Sequence, residues 1–279
     1  MKNILKDLLI FTTILIYFIY CINYNAYIQE QTIYSINIWI TKIIPTLFPT
    51  FLIVDLIYNS NIPYYFNKIF HYDFIYLLSI ISGSPTNAHI LNKYNEDITK
   101  SLSVTKYTSL LFTYTFLKNI YNIKLAILLI LTNILSNIIL TIFLKPKPNP
   151  IIKKNLNIFN TIIQSISHNI NTLIIILGTL IFFNTLPTNL IPNLYIKSFL
   201  LSILEVTTSL NNLLLIDIPL NIKILFTIIT ISTCGLCIET QIKSIINDTS
   251  INNYKYLKYR LIHLIIYMFI TIIGLTLFN

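Results

Sequence analysis

The chain has 279 residues, of which 55% are hydrophobic and only 10% charged; this excludes a soluble domain and points to a polytopic membrane protein. Its formal charge of +9 does not signal nucleic-acid binding, because most of the lysines flank apolar spans and report topology instead. Three cysteines, Cys21, Cys234 and Cys237, give no disulfide framework.

Lys2 and Lys6 ahead of the apolar run 8–20 resemble a signal peptide. No small-x-small cleavage site follows, however, and Tyr20 precedes Cys21, so an uncleaved first span over 4–22 with a cytoplasmic N-terminus is expected. The polar stretch 23–35 carries Glu30 but no lysine and reads as an external loop. A second span over 36–58 holds Lys42, Pro45, Pro49 and Asp55. Two prolines four apart remove helix donors on one face, which predicts a kinked or split helix, with Asp55 interfacial.

The apolar run 74–81 would be about 12 Å long as a helix, far short of the roughly 30 Å hydrocarbon core. It ends in Ser82, Gly83, Ser84, Pro85, Thr86 and Asn87, small and polar residues where a membrane segment would leave backbone groups unpaired. A re-entrant hairpin over 74–94 that opens to the cytoplasm is therefore expected, with Lys93, Glu96, Asp97, Lys100 and Lys106 outside the bilayer. A hydroxyl-rich third span over 107–120 and an ordinary fourth over 125–144 complete the first half.

Residues 145–154 alternate lysine and proline and form a cytoplasmic linker. Beyond it, 155–171 reads as an amphipathic interfacial helix and 172–186 as a fifth span, with Pro187 and Pro192 bracketing a turn. A second interrupted run, 195–216, breaks at Glu205 through Thr207, Thr208 and Ser209, repeating the hairpin pattern from the opposite side. A sixth span over 222–238 contains Cys234, Gly235 and Cys237 and runs into Glu239 and Gln241, and a seventh covers 261–277. All but five of the 19 basic residues fall on the expected inside; Lys118, Lys124, Lys197 and Lys223 lie near outside loops, and Lys42 lies within a span.

The expected architecture is thus an all-α polytopic membrane protein with inverted-topology repeats and two re-entrant helical hairpins. Residues 1–35 form the first span and external loop, 36–144 the first repeat, 145–154 the linker, 155–242 the second repeat, and 243–279 a cytoplasmic loop and last span.

Where helices restart at the two tips, hydroxyls, an amide and free N–H groups would suit an acidic solute. Each of these residues could equally cap a short helix in a packed bundle. Glu205, a carboxylate where hydrocarbon would not tolerate one, could bind a proton or cation, receive a donor from the solute, or accept hydrogen bonds from a helix N-terminus. An ion pair between Glu205 and Lys42 is a further option that spacing leaves open. Cys234 and Cys237, three apart on a predicted helix, share a face and are expected to pack, since one Cys-x-x-Cys without a second ligand pair is a weak metal or redox signal. His71, His168 and His263 are expected at span edges as solvated or interfacial residues, while His89 lies near the first tip. No soluble-enzyme or nucleotide-binding motif is found, so neither an enzyme nor ATP-driven transport by this chain alone is expected.

Five motifs in order, Pro45-Thr-Leu-Phe-Pro-Thr-Phe51, Ser82-Gly-Ser-Pro-Thr-Asn-Ala88, Leu204-Glu-Val-Thr-Thr-Ser209, Cys234-Gly-Leu-Cys-Ile-Glu-Thr-Gln241 and Tyr256-Leu-Lys-Tyr-Arg-Leu-Ile-His263, cover nearly the whole chain. Together they resemble sporulation integral membrane proteins of YlbJ type, grouped with the Gate domains of nucleoside transporters and FeoB. The chain departs from the family pattern in being short, in carrying Leu111-Phe-Thr-Tyr-Thr-Phe116 where members have an Asn/Ser-Gly-Pro-rich break, and in having Ser209 where glycine is usual. The resemblance implies a multi-pass protein of the bacterial cell membrane or outer forespore membrane that exports dipicolinate from the mother cell toward the forespore. The expected substrate-binding set is Ser82, Gly83, Ser84, Pro85, Thr86, Asn87, Glu205, Thr207, Thr208, Ser209, Gly235 and Gln241. The expected partners are a small anionic solute and the lipid bilayer. No metal or cofactor is expected, a coupling H⁺ or Na⁺ and self-association are left open, and a nucleoside-type carrier or a non-transporting cortex-assembly scaffold are the rival readings.

Overall fold

The computed structural model describes residues 2–70, 74–91, 98–146, 153, 157–246 and 251–278. Among them there is no strand. Six helical stretches are long and apolar enough to cross a membrane: Ile4–Asn23, Asn25–Asn59, Ile123–Leu144, Ile158–Leu190, Leu220–Ile245 and Asn253–Leu277. The expected third span is not among them.

The N-terminal α1 (Lys2–Asn23) is followed at once by α2 (Asn25–Ile38), a π-helical turn (Trp39–Ile43) and α3 (Ile44–Asn59). The stretch expected as an external loop is therefore helix. Its end enters the bundle, where Asn184 Nδ2 donates to Ser35 Oγ at 2.9 Å, and in the turn that follows Trp39 Nε1 donates to the Leu173 carbonyl at 2.9 Å. The two prolines do not split the helix. Pro45 cannot bond the Thr41 carbonyl, and the wide turn just before it absorbs that gap while α3 continues through Pro49.

After α4 (Ile62–Phe70) come α5 (Ile75–Ser82), the Gly83–Pro85 elbow and α6 (Thr86–Leu91). Then α7 (Ile98–Thr105) and α8 (Leu110–Ile120) are separated by four non-helical residues, 106–109, ahead of α9 (Ile123–Leu144). The third span is thus an interrupted helix. α7, expected outside the bilayer, is almost wholly buried, because its Ser and Thr side chains bond their own backbone, as Ser103 Oγ does to Thr99 O and Thr105 Oγ1 to Ser101 O.

The second half begins with α10 (Ile158–Asn184), a single helix of 27 residues where an interfacial helix and a separate span were expected. A 3₁₀ turn (Thr188–Leu190) lies between the two prolines as expected. Then follow α11 (Leu194–Leu204), α12 (Val206–Leu215), α13 (Leu220–Thr233), α14 (Gly235–Ile245) and α15 (Asn253–Phe278). The order long helix, broken hairpin, interrupted helix, long helix thus occurs twice, as α3 to α9 and α10 to α15, and α15 takes the place that α9 has in the first half.

One apolar core joins the two halves through Phe51, Leu117, Leu129, Leu180, Leu210 and Tyr267. A second surrounds the first hairpin with Val54, Leu78, Leu91, Leu102 and Ile242. Apolar side chains also cover the outside, with Leu5, Ile16, Phe143, Ile174 and Ile265 among those exposed, while Ser, Thr and Asn are buried between helices. In a lipid-solvated bundle this is the favourable arrangement, since packing and interhelical hydrogen bonds hold helices that hydrophobicity alone would not.

Candidate functional site

Each hairpin elbow rests on the break in the helix that follows it. At the first, Gly83 has φ +70° and ψ −172°, a conformation open to glycine, and a β-carbon there would lie 2.3 Å from the Ser109 nitrogen. Ser84 N–H donates to the Tyr107 carbonyl at 2.7 Å, and Ser109 Oγ to the Ile81 carbonyl at 3.1 Å. Asn87 Nδ2 donates to Thr105 O at 2.9 Å and to Thr105 Oγ1 at 3.1 Å. Backbone groups freed by one interruption are thus met by the other, so the non-helical chain is buried in protein with those groups paired.

The second elbow repeats this. Gly235 has φ +69°, and a β-carbon on it would lie 3.0 Å from the Leu204 carbonyl oxygen, beside Glu205. Cys234, at φ 55°, ends α13. The two cysteines therefore do not share one helix. Both are buried free thiols, with Cys234 Sγ bonded to Ile231 O and Cys237 Sγ accepting from Gln241 Nε2.

Glu205 caps its own helix. Its Oε1 accepts from Thr207 N–H at 2.9 Å and its Oε2 from Thr208 N–H at 2.5 Å. This corrects the expectation of free N–H groups for an anionic solute at the second tip, because the chain supplies its own carboxylate there. Lys42 is not its partner: Lys42 Nζ donates to Asn211 Oδ1 at 3.1 Å and lies over the Phe116 ring. Thr208 Oγ1 bonds Asn184 Oδ1, Ser209 Oγ pairs with Thr230 Oγ1, and Gln241 Nε2 reaches Thr179 Oγ1.

Between the halves lies a cavity of about 40 Å³ lined by Thr108, Ser109, Glu205, Thr207, Cys237 and Gln241, with apolar walls from α3, α8 and α10. Glu205 is the one charged side chain among its described lining residues. Of the expected binding set, Glu205, Thr207 and Gln241 meet here. Thr208 and Ser209 are used in helix packing, Gly235 faces a second cavity, and the first tip contributes its backbone contact through Ser109. Ser82 Oγ bonds Leu78 O within α5. Ser84 Oγ, Thr86 Oγ1 and Asn87 Oδ1 are buried with no partner among the described residues.

No protein-family model, curated protein or solved structure matches this chain.

Several groups were not anticipated. Lys106, placed outside by charge pattern, is buried in the first break and ion-paired to Glu239, which also accepts from Tyr256 OH at 2.9 Å. His263, expected at a span edge as a solvated or interfacial residue, is fully buried between Ser136 and Ser232, with Arg260 beside it. Asp55 accepts from Asn169 Nδ2 at 3.1 Å and so is tied to α10. The one available signal was Lys106 heading the hydroxyl run Thr108, Ser109, Thr113, a polar stretch too long for a lipid-facing span. His71, Lys93, Glu96, Asp97 and the His89 side chain lie outside the described residues.

Proposed function

We propose that this protein is a secondary carrier of a small organic anion. Carrying most weight is the pairing of each broken hairpin with a broken helix beside a small, largely apolar cavity that Glu205 enters, since transporters build solute sites from discontinuous helices at a repeat interface. The resemblance to YlbJ-type proteins makes dipicolinate, moved from mother cell toward forespore, the first cargo to test.

At about 40 Å³ the cavity holds roughly three waters at ~10–15 Å³ each, so an aromatic dicarboxylate enters only when the elbows separate. A carboxylate in that space repels an anion until it is protonated. Glu205 therefore couples the solute to a proton, and its proton and the anion move together. Rocking of one repeat against the other, inverted relative to it in the membrane, exposes the cavity to each side in turn.

Proteoliposomes loaded with labelled dipicolinate test this, with uridine as comparator. Dipicolinate flux is expected to rise as the pH is lowered on the loaded side. Flux of uridine alone favours the nucleoside-type carrier, and flux of neither from correctly folded protein leaves a non-transporting scaffold.

A further inference from the structure

A second and larger cavity, about 410 Å³, lies where α11, α14 and α15 meet. Its polar end is formed by Lys106, Glu239, Lys243, Tyr256 and Arg260, and its walls by Ile203, Leu236, Leu257, Leu261 and Leu264. Three cations face one carboxylate. Lys106 and Glu239 neutralise each other, which leaves Arg260 and Lys243 without a counter-charge among the described residues.

Arg260 is the unusual member. It is 6% exposed, and every partner it has among the described residues is neutral: Ser103 O at 2.8 Å, Asn137 Oδ1 at 3.2 Å, the Ser232 carbonyl and His263 Nδ1 at 3.1 Å. Its Nε is buried with no partner among the described residues. A buried guanidinium bonded only to dipoles keeps its full charge, and in a low-dielectric site that charge favours an anion strongly.

The other end of the cavity is flanked by leucines exposed on the surface of the bundle. Leu236 on α14 and Leu257 and Leu261 on α15 are 46%, 60% and 53% exposed, and in this bundle exposed leucines face acyl chains. Arg260 is seven residues into α15, about 10 Å along its axis, while the whole 26-residue helix spans about 39 Å. That places the guanidinium near the boundary between head groups and hydrocarbon. Lys255 and Lys258, both exposed on the first turns of the same helix, add positive charge at this level.

We propose that this groove is a site for an anionic phospholipid, the phosphate held by Arg260 and Lys243 and an acyl chain lying along Leu236, Leu257 and Leu261. The lipid supplies the counter-charge that the described residues lack and bridges α14 to α15, so it stabilises the end of the second interrupted helix. It does not depend on the carrier reading, and its test uses no transport measurement.

The full chain is reconstituted in nanodiscs of phosphatidylcholine alone or with phosphatidylglycerol, and thermal unfolding and lipid retention by native mass spectrometry are measured. Phosphatidylglycerol is expected to raise the melting temperature by about 3 °C or more and to remain bound at one copy per chain. Lys243→Glu, on an exposed residue with no partner to lose among the described residues, is expected to abolish most of that gain while leaving the melting temperature in phosphatidylcholine unchanged. Leu261→Trp fills the groove without altering charge and is expected to expel the lipid, whereas Lys197→Glu, on α11 away from the cavity, is expected to have no effect. Equal gain in wild type and Lys243→Glu overturns the site, as does absence of any gain. Protection by dipicolinate in pure phosphatidylcholine, without an effect of phosphatidylglycerol, assigns the cavity to a soluble anion and also overturns the lipid proposal.

Discussion

Replacing Gly83 by alanine tests the seat of the first elbow on the first helix break. The added β-carbon would meet three backbone atoms, Ser109 N at 2.3 Å, Thr108 C at 2.8 Å and Ser109 Cα at 2.9 Å, and no side-chain rotation can relieve that overlap. The glycine conformation itself costs another residue about 1–3 kcal/mol. Moving the elbow away loses the bonds Ser84 N–H to Tyr107 O and Ser109 Oγ to Ile81 O, each worth about 1 kcal/mol. The sum is about 3–5 kcal/mol, or a melting-temperature drop on the order of 10 °C. Gly178 provides the control. It lies in α10 with open space where a β-carbon would go, so Gly178→Ala is expected to be neutral or to stabilise by about 0.5–1 kcal/mol through helix propensity. Both variants are compared with wild type by thermal unfolding in one detergent. If Gly83→Ala melts within about 2 °C of wild type, the elbow is not held against the break and the account of the site is wrong.

Gly235→Ala, with closest approach 3.0 Å to a carbonyl oxygen, should melt between those two variants in the same assay. Glu205→Gln offers one acceptor oxygen to two N–H groups and should cost about 1–2 kcal/mol of stability; in proteoliposomes it should flatten the pH dependence of solute flux, and retention of the wild-type profile would remove Glu205 from coupling. Lys106→Met leaves the Glu239 carboxylate without its cation and should destabilise by about 3 kcal/mol, whereas the double variant with Glu239→Leu should recover much of that loss in chemical unfolding. Asn87→Ala should cost about 1–3 kcal/mol by stripping Thr105 of two donors, and an unchanged melting temperature would deny the hairpin its link to α7.

Composition and hydropathy alone determined that this is a multi-helix membrane chain, and two polar interruptions in apolar runs located the elbows at Gly83 and Glu205. Those signals are local: a run too short to span must turn back, and a glycine among hydroxyls marks where. The α2 helix and the first part of α10 were read as loop and interface because a hydropathy average counts Ser35 and Asn169 as solvent-facing, whereas each finds its partner in the other half of the chain. The same reasoning sent Lys106 and His263 to the surface. Only packing in three dimensions decided that the elbows sit on helix breaks, that Glu205 answers to its own helix start, and that Arg260 is buried without a counter-charge among the described residues, because each of these depends on which distant groups arrive opposite, and a linear pattern does not carry that information.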